Sequence, residues 1–142
     1  MEIRPYRETD EGEVIALWRA CELTRPWNDP RKDIRRKQAE HPELFLVGLR
    51  DGKLMATVMA GYEGHRGWIN YLAVHPEHRR RNHGRQMMAA AEKLLRGLGC
   101  PKINLMVRTS NRSAVEFYQR LGYAMDDVVS LGKRLEHDDE KQ

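Results

Sequence analysis

The seven residues Arg79-Arg80-Arg81-Asn82-His83-Gly84-Arg85 hold the densest chemistry in this chain. They stand between a strand-like run ending Leu72-Ala73-Val74 and a helical run in which Met87, Met88, Ala91, Leu94, Leu95 and Leu98 share a face. A helix start exposes unpaired backbone N–H groups and a partial positive charge, so it binds phosphate even without dedicated side chains. Close approach of backbone to an anion asks for residues that tolerate unusual dihedrals. Gly84 does so freely, and Asn82 more readily than most. Acids, not arginines, usually stabilise a helix start, and an anionic ligand accounts for the mismatch. The net charge of +4 agrees with an anionic partner without naming one.

Other reactive types are less organised. His75, His78 and His83 have no Cys or carboxylate companions in ligand spacing, so no metal site is expected. Cys21 and Cys100 read as reduced, buried thiols, and no Gly-x-Ser-x-Gly elbow occurs. Tyr118, beside Phe117, reads by periodicity alone as a core aromatic. Its phenol, with an ordinary pKa of about 10, is protonated at neutral pH and able to donate.

The elements that must carry these groups follow from pattern and punctuation. Glu2–Tyr6 is an edge strand, and Thr9 or Asp10 caps a helix through Val14, Ile15, Leu17, Trp18 and Cys21. Asp29-Pro30 starts a second, basic helix. Two apolar runs, 44–49 and 53–60, flank Asp51-Gly52 as a hairpin. A strand over 68–74, the helix after Arg85, a strand over 102–107, a helix capped by Ser110 or Asn111 and a last strand over 128–135 complete the order. The class is therefore mixed α/β (α+β), with a mostly antiparallel sheet of six to seven strands and about four helices. One domain is expected over 1–136, with a charged tail, 137–142, that frays. No apolar run is long enough to span a bilayer and no signal segment opens the chain, so a cytoplasmic protein is expected.

Two stretches resemble a known family. His75-Pro76-Glu77-His78-Arg79-Arg80-Arg81-Asn82-His83-Gly84 is similar to the pyrophosphate loop of the GNAT superfamily of N-acetyltransferases, Arg/Gln-x-x-Gly-x-Gly/Ala, with Asn82 where the middle glycine belongs. Asn111-Arg112-Ser113-Ala114-Val115-Glu116-Phe117-Tyr118-Gln119-Arg120-Leu121-Gly122-Tyr123 is similar to its Asn-x-x-Ala-x-x-Phe-Tyr-x-x-x-Gly-Phe segment. The Arg25–Pro30 loop and the Ser130–Leu135 ending resemble the small bacterial YpeA-type acetyltransferases.

The resemblance implies an acetyl-CoA-dependent enzyme in which a primary amine attacks the thioester directly. The loop amides from Arg81 through Asn82, His83 and Gly84 to Arg85 would take the pyrophosphate, with Arg79 at the motif's first position. Leu72, Ala73 and Val74 would pair with the pantetheine arm, the Leu72 N–H polarising the thioester carbonyl. Asn111 would touch the same arm, and Tyr118 would protonate the departing thiolate. The position at which some relatives carry a glutamate base holds Trp68 here. Glu63, His65 and Asn70 stand near it in sequence, and Glu63 acting through water is the expected base.

The loop holding Arg25, Trp27 and Asp29 would border the acceptor, together with Asn70. A small amine and a protein amine both remain open as acceptor, and many relatives pair, so a homodimer is compatible. Two other classes stay in view. One is a non-catalytic acyl-CoA sensor, which would bind cofactor without turnover. The other is a basic nucleic-acid module, which lacks the expected interleaved aromatics; neither nucleic acid nor membrane is the expected partner.

Overall fold

The computed structural model describes residues 1–138. One sheet runs in chain order: β1 (Glu2–Pro5), β2 (Phe45–Arg50), β3 (Lys53–Tyr62), β4 (Gly67–Val74) and β5 (Ile103–Leu105). The first four strands are antiparallel, and β5 lies parallel to β4. Helices α1 (Glu11–Ala20) and α2 (Pro30–Gln38) fall between β1 and β2, α3 (His83–Gly97) between β4 and β5, and α4 (Arg112–Arg120) after β5.

Alternation along the strands builds two cores. Phe45, Val47 and Met59 face Val14, Leu17 and Trp18 of α1. Leu46, Ala56, Val58 and Ile69 face Met87, Met88, Ala91 and Leu95 of α3. Helices on both faces of one sheet make the fold mixed α/β.

Local chemistry explains most boundaries. Asp51 and Gly52 both take positive φ, 52° and 76°, as a tight hairpin requires. The Asp29 carboxylate accepts from Arg31 N at 2.9 Å, with Pro30 at the first helical position. Asp10 departs from expectation: it makes no cap bond to α1. Its carboxylate instead takes two hydrogen bonds from Arg4, at 2.8 and 2.9 Å, and one from Arg7 N at 2.9 Å. The Arg4 guanidinium holds the Asp10 carboxyl below its ordinary range.

The expected sheet of six to seven strands is corrected to five. The run 102–107 shortens to the three residues of β5, and the stretch 128–135 joins no ladder. Its end is drawn elsewhere: Arg134 donates to Asn28 at 2.9 Å, and Arg36 binds Glu136 and Asp138. Asp138, in the tail expected to fray, also accepts from Asp29 N at 2.9 Å; residues 139–142 lie outside the described residues. The cysteines are free and half-buried, not fully buried as expected.

The ladder between β3 and β4 is broken at one point. Thr57 pairs with Ala73 but Met59 pairs with Asn70, so Tyr71 and Leu72 together oppose Val58. This is a β-bulge, with Tyr71 at φ 50°. A bulky residue in the left-handed region is strained by roughly 1–2 kcal/mol. Its ring stacks on Trp18 at 3.8 Å and its hydroxyl donates to Asp33 at 2.6 Å, which offsets the strain. The buried Thr57 hydroxyl accepts from Trp18 Nε1 at 2.9 Å and donates to the Tyr71 carbonyl at 2.8 Å. Thr57→Val strands both partners and is expected to lower unfolding free energy by roughly 2–4 kcal/mol in urea titration. Thr57→Ser, which keeps the hydroxyl, should recover most of that loss.

Candidate active site

The basic loop reaches α3 through two left-handed residues, Arg80 at φ 65° and Asn82 at φ 63°. Asn82 is the N-cap residue of α3, yet its side chain makes no cap bond, and the first turn contains no acid. The amides of His83, Gly84 and Arg85 therefore have no acceptor within the helix. Arg81 and Arg85 are exposed beside them. Arg79 turns away, donating from Nε to the Val74 carbonyl at 3.3 Å, an oxygen that Cys21 Sγ also approaches at 3.3 Å.

Asn82, in place of a glycine, thus takes the dihedral that a glycine would have supplied. The expectation that Gly84 supplies such a dihedral is corrected, because Gly84 lies within α3 and its φ is not positive. Gly84 is tight for space: a Cβ there would stand 3.1 Å from the Phe117 ring, which would have to give by a few tenths of an ångström. Asn82→Gly should leave stability within ~0.5 kcal/mol of wild type. Asn82→Val, forcing a β-branched residue left-handed, should cost about 1–2 kcal/mol in thermal unfolding.

Beyond the bulge β4 departs from its neighbour. Only Gly67–Ile69 pair with β5, so the β5-facing edge of Asn70–Val74 has no strand beside it. A cavity of about 1390 Å³ is lined here by Trp68 and Asn70 of β4, Leu105 and Met106 at β5, and Val115 and Tyr118 of α4. Tyr118 stands edge-on between Phe117 and Tyr123, at 5.1 and 5.8 Å. Burial pushes its phenol up to about 12.

The other expected residues divide. Leu72 lies in the bulge, Ala73 is buried in the α1-side core, and the Val74 carbonyl receives both Arg79 and Cys21. Asn70 lines the cavity, and Trp27 is exposed with the Arg108 guanidinium 5.6 Å over its ring. Arg25 and Asp29 are occupied by their own backbone: Arg25 donates to the carbonyls of Glu22 and Thr24, and Asp29 caps α2. Asn111 caps α4, accepting from Ala114 N at 3.2 Å.

Glu63, the expected base, lies just after β3. Its exposed carboxylate accepts from the amides of His65 and Arg66 in the β3–β4 turn, at 2.8 and 2.6 Å, and it does not line the cavity. Those hydrogen bonds hold its carboxyl below the ordinary range. Rings of His75, His78 and His83 sit edge-on in succession, 6.1 and 6.4 Å apart. Among the described residues no group of three or more His, Cys, Asp or Glu is arranged to hold a metal ion.

Residues 13–123 match the family model described as the acetyltransferase (GNAT) family. The chain belongs to the GNAT acetyltransferases. An acetyltransferase of Sodalis glossinidius is 50% identical over 141 residues, with 99% of each chain covered. Among solved structures, the fold matches Ard1 from Thermoplasma volcanium with a TM-score of 0.73, at 25% identity, covering 88% of this chain and 83% of that one. It also matches the PaiA N-acetyltransferase of Thermoplasma acidophilum in complex with coenzyme A, with a TM-score of 0.71, at 19% identity, covering 90% and 92%.

As a GNAT N-acetyltransferase, the chain carries supports that sequence reasoning missed. Thr57, Trp18 and Asp33 hold the Tyr71 bulge, and Phe117 seats on Gly84. The Phe-Tyr pair of the second motif signalled Phe117, but nothing local to residues 68–74 signals a bulge.

Proposed function

We propose that this acetyltransferase moves the acetyl group of acetyl-CoA to a primary amine by direct attack within a ternary complex. One arrangement carries the reading: a cationic, acid-free helix start follows a β4 edge freed from β5, and Tyr118 lines the cavity that Asn70 of that edge also lines. Acetyl-CoA supplies the activated thioester. The amides of Asn82 to Arg85, with Arg81 and Arg85 alongside, suit its pyrophosphate. The Asn70–Val74 edge suits the amides of its pantetheine arm, with the Leu72 N–H for the thioester carbonyl. Asn111 would contribute through its amide nitrogen, since its Oδ1 serves the α4 cap. The coenzyme A bound by the PaiA relative supports the fit of this fold to the cofactor.

Tyr118 donates to the departing sulfur. A phenol near 12 is a weaker acid than an ordinary thiol near 8.5, so it acts chiefly as a hydrogen-bond donor while the carbon–sulfur bond breaks. The amine loses its proton to water in the cavity. This favours acceptors with pKa near 8 over lysine-like amines, which are neutral to less than about 0.1% at pH 7. The reading is of a cytoplasmic enzyme; among the described residues, no helix is long and apolar enough to cross a membrane.

The test is calorimetric titration with acetyl-CoA at low and high salt, followed by an acceptor screen read as thiol release. Binding that weakens with salt, then turnover with an amine, supports the reading. Failure to bind at either salt would sink it, and steeply salt-dependent binding to DNA would replace it.

A further inference from the structure

The cavity that Tyr118 lines carries an excess positive charge. Lys102 and Asp126 neutralise each other on its wall at 3.0 Å, and α3 contributes a group of each sign, Glu92 and Arg96. Arg108 is the charge left over. It stands just beyond β5, and among the described residues its guanidinium enters no hydrogen bond or ion pair. A ring holds it instead: the guanidinium carbon lies 5.6 Å over the Trp27 indole. Attraction to an aromatic face uses none of the guanidinium N–H donors, so all of them stay free for a ligand.

The residue after Trp27 adds further donors. Asn28 lines the same cavity, and its side-chain oxygen accepts from Arg134 at 2.9 Å. A guanidinium has no acceptor, so this contact decides which end of the carboxamide Arg134 meets. The Nδ2 hydrogens are left for the cavity. Arg134 is itself fixed, donating from Nε to the Glu136 carbonyl at 3.0 Å, and the Asn28 backbone N–H donates to the Arg25 carbonyl at 3.0 Å. Recognition by this loop was expected from Arg25 and Asp29, which serve the backbone; its neighbours Trp27 and Asn28 are the residues that reach the Arg108 group and the cavity.

Donors without acceptors on a positively charged wall suit an anion, and the planar fork of arginine suits a carboxylate. A single guanidinium beside a neutral carboxamide balances a monoanion better than a doubly charged phosphate. We infer that the acetyl acceptor carries a carboxylate as well as its amine, as a free amino acid does, and that Arg108 and Asn28 hold that carboxylate. Trp27 and Arg134 are positioning residues for the pair. The fate of the amine rests on the acetyl-transfer reading; the carboxylate site does not.

The experiment reads acceptor choice twice, as calorimetric binding in the presence of coenzyme A and as thiol release from acetyl-CoA. The probes are free amino acids against their α-amides, and Ala-Glu amide against Ala-Gln amide, compared per neutral amine. The first set places the carboxylate on a free amino acid, the second on a peptide side chain. Wild type is expected to favour the acid in one set by about 10–100-fold. In Arg108→Gln that ratio should fall toward unity, through the acceptor KM and not through kcat. Arg108→Lys, which keeps the charge without the fork, should recover part of it. Asn28→Asp keeps an oxygen for Arg134 and replaces only the donors, so the ratio should fall about tenfold or more. Arg108 is exposed, and melting temperatures near wild type will show that the variants fold. Equal treatment of acid and amide in every pair overturns the inference and leaves acetyl transfer standing. So does a preference that survives both Arg108→Gln and Asn28→Asp. Acid-selective binding without thiol release would uphold the carboxylate site and overturn the transfer reading.

Discussion

Tyr118→Phe is expected to lower kcat by ~10²–10⁴-fold while acetyl-CoA affinity stays near wild type. The substitution keeps the ring against Phe117 and Tyr123 and removes only a hydroxyl at the cavity. Its melting temperature should therefore match wild type, and loss of activity without loss of fold is the informative pattern. The pH profile is equally informative. Burial raises the phenol to about 12, so the donor is protonated throughout the neutral and mildly alkaline range. It is lost only as pH rises through about 12. In wild type the rate should climb with pH as the acceptor amine loses its proton, with no falling limb from Tyr118. The variant should show the same rising curve, scaled down. An unchanged kcat would remove Tyr118 from the chemistry.

Arg85→Glu is expected to separate binding from folding by moving them in opposite directions. Glutamate in a first turn interacts favourably with the helix dipole, stabilising α3 by about 0.3–1 kcal/mol. Arg85 is exposed and enters no ion pair among the described residues, so nothing structural is lost. Yet placing an anion where pyrophosphate should sit should weaken acetyl-CoA by ~100-fold or more in calorimetry. A variant that is more stable and still binds normally would move the phosphate site away from this helix start. Gly84 is a poorer choice for this test, because a Cβ there stands 3.1 Å from the Phe117 ring and a change in packing would be confounded with a change in binding.

What was legible in the sequence was local. The Asp51-Gly52 turn, the Asp29-Pro30 start, the apolar face of α3 and the Asn111 cap each depend on residues a few positions apart. The two family motifs are likewise short. What was missed depends on distant partners. Tyr71 bulges because Trp18 and Thr57, far away in the chain, stack on it and take its carbonyl. Gly84 is small because Phe117 arrives from α4. Glu63 is held by two backbone amides of its own turn, whose direction no residue type announces. The stretch 128–135 reads as a strand in sequence, but its contacts with the rest of the chain are side-chain tethers and it enters no ladder.

The Phe117 ring on Gly84 also has an evolutionary corollary. Positions 84 and 117 share one volume, so drift at either is constrained by the other. A lineage that enlarged residue 84 to alanine would need the residue 117 ring to give by a few tenths of an ångström. Because residue 117 adjoins Tyr118, that movement would reach the proposed proton donor as well. Selection on turnover would thus reach a glycine whose backbone needs no special freedom.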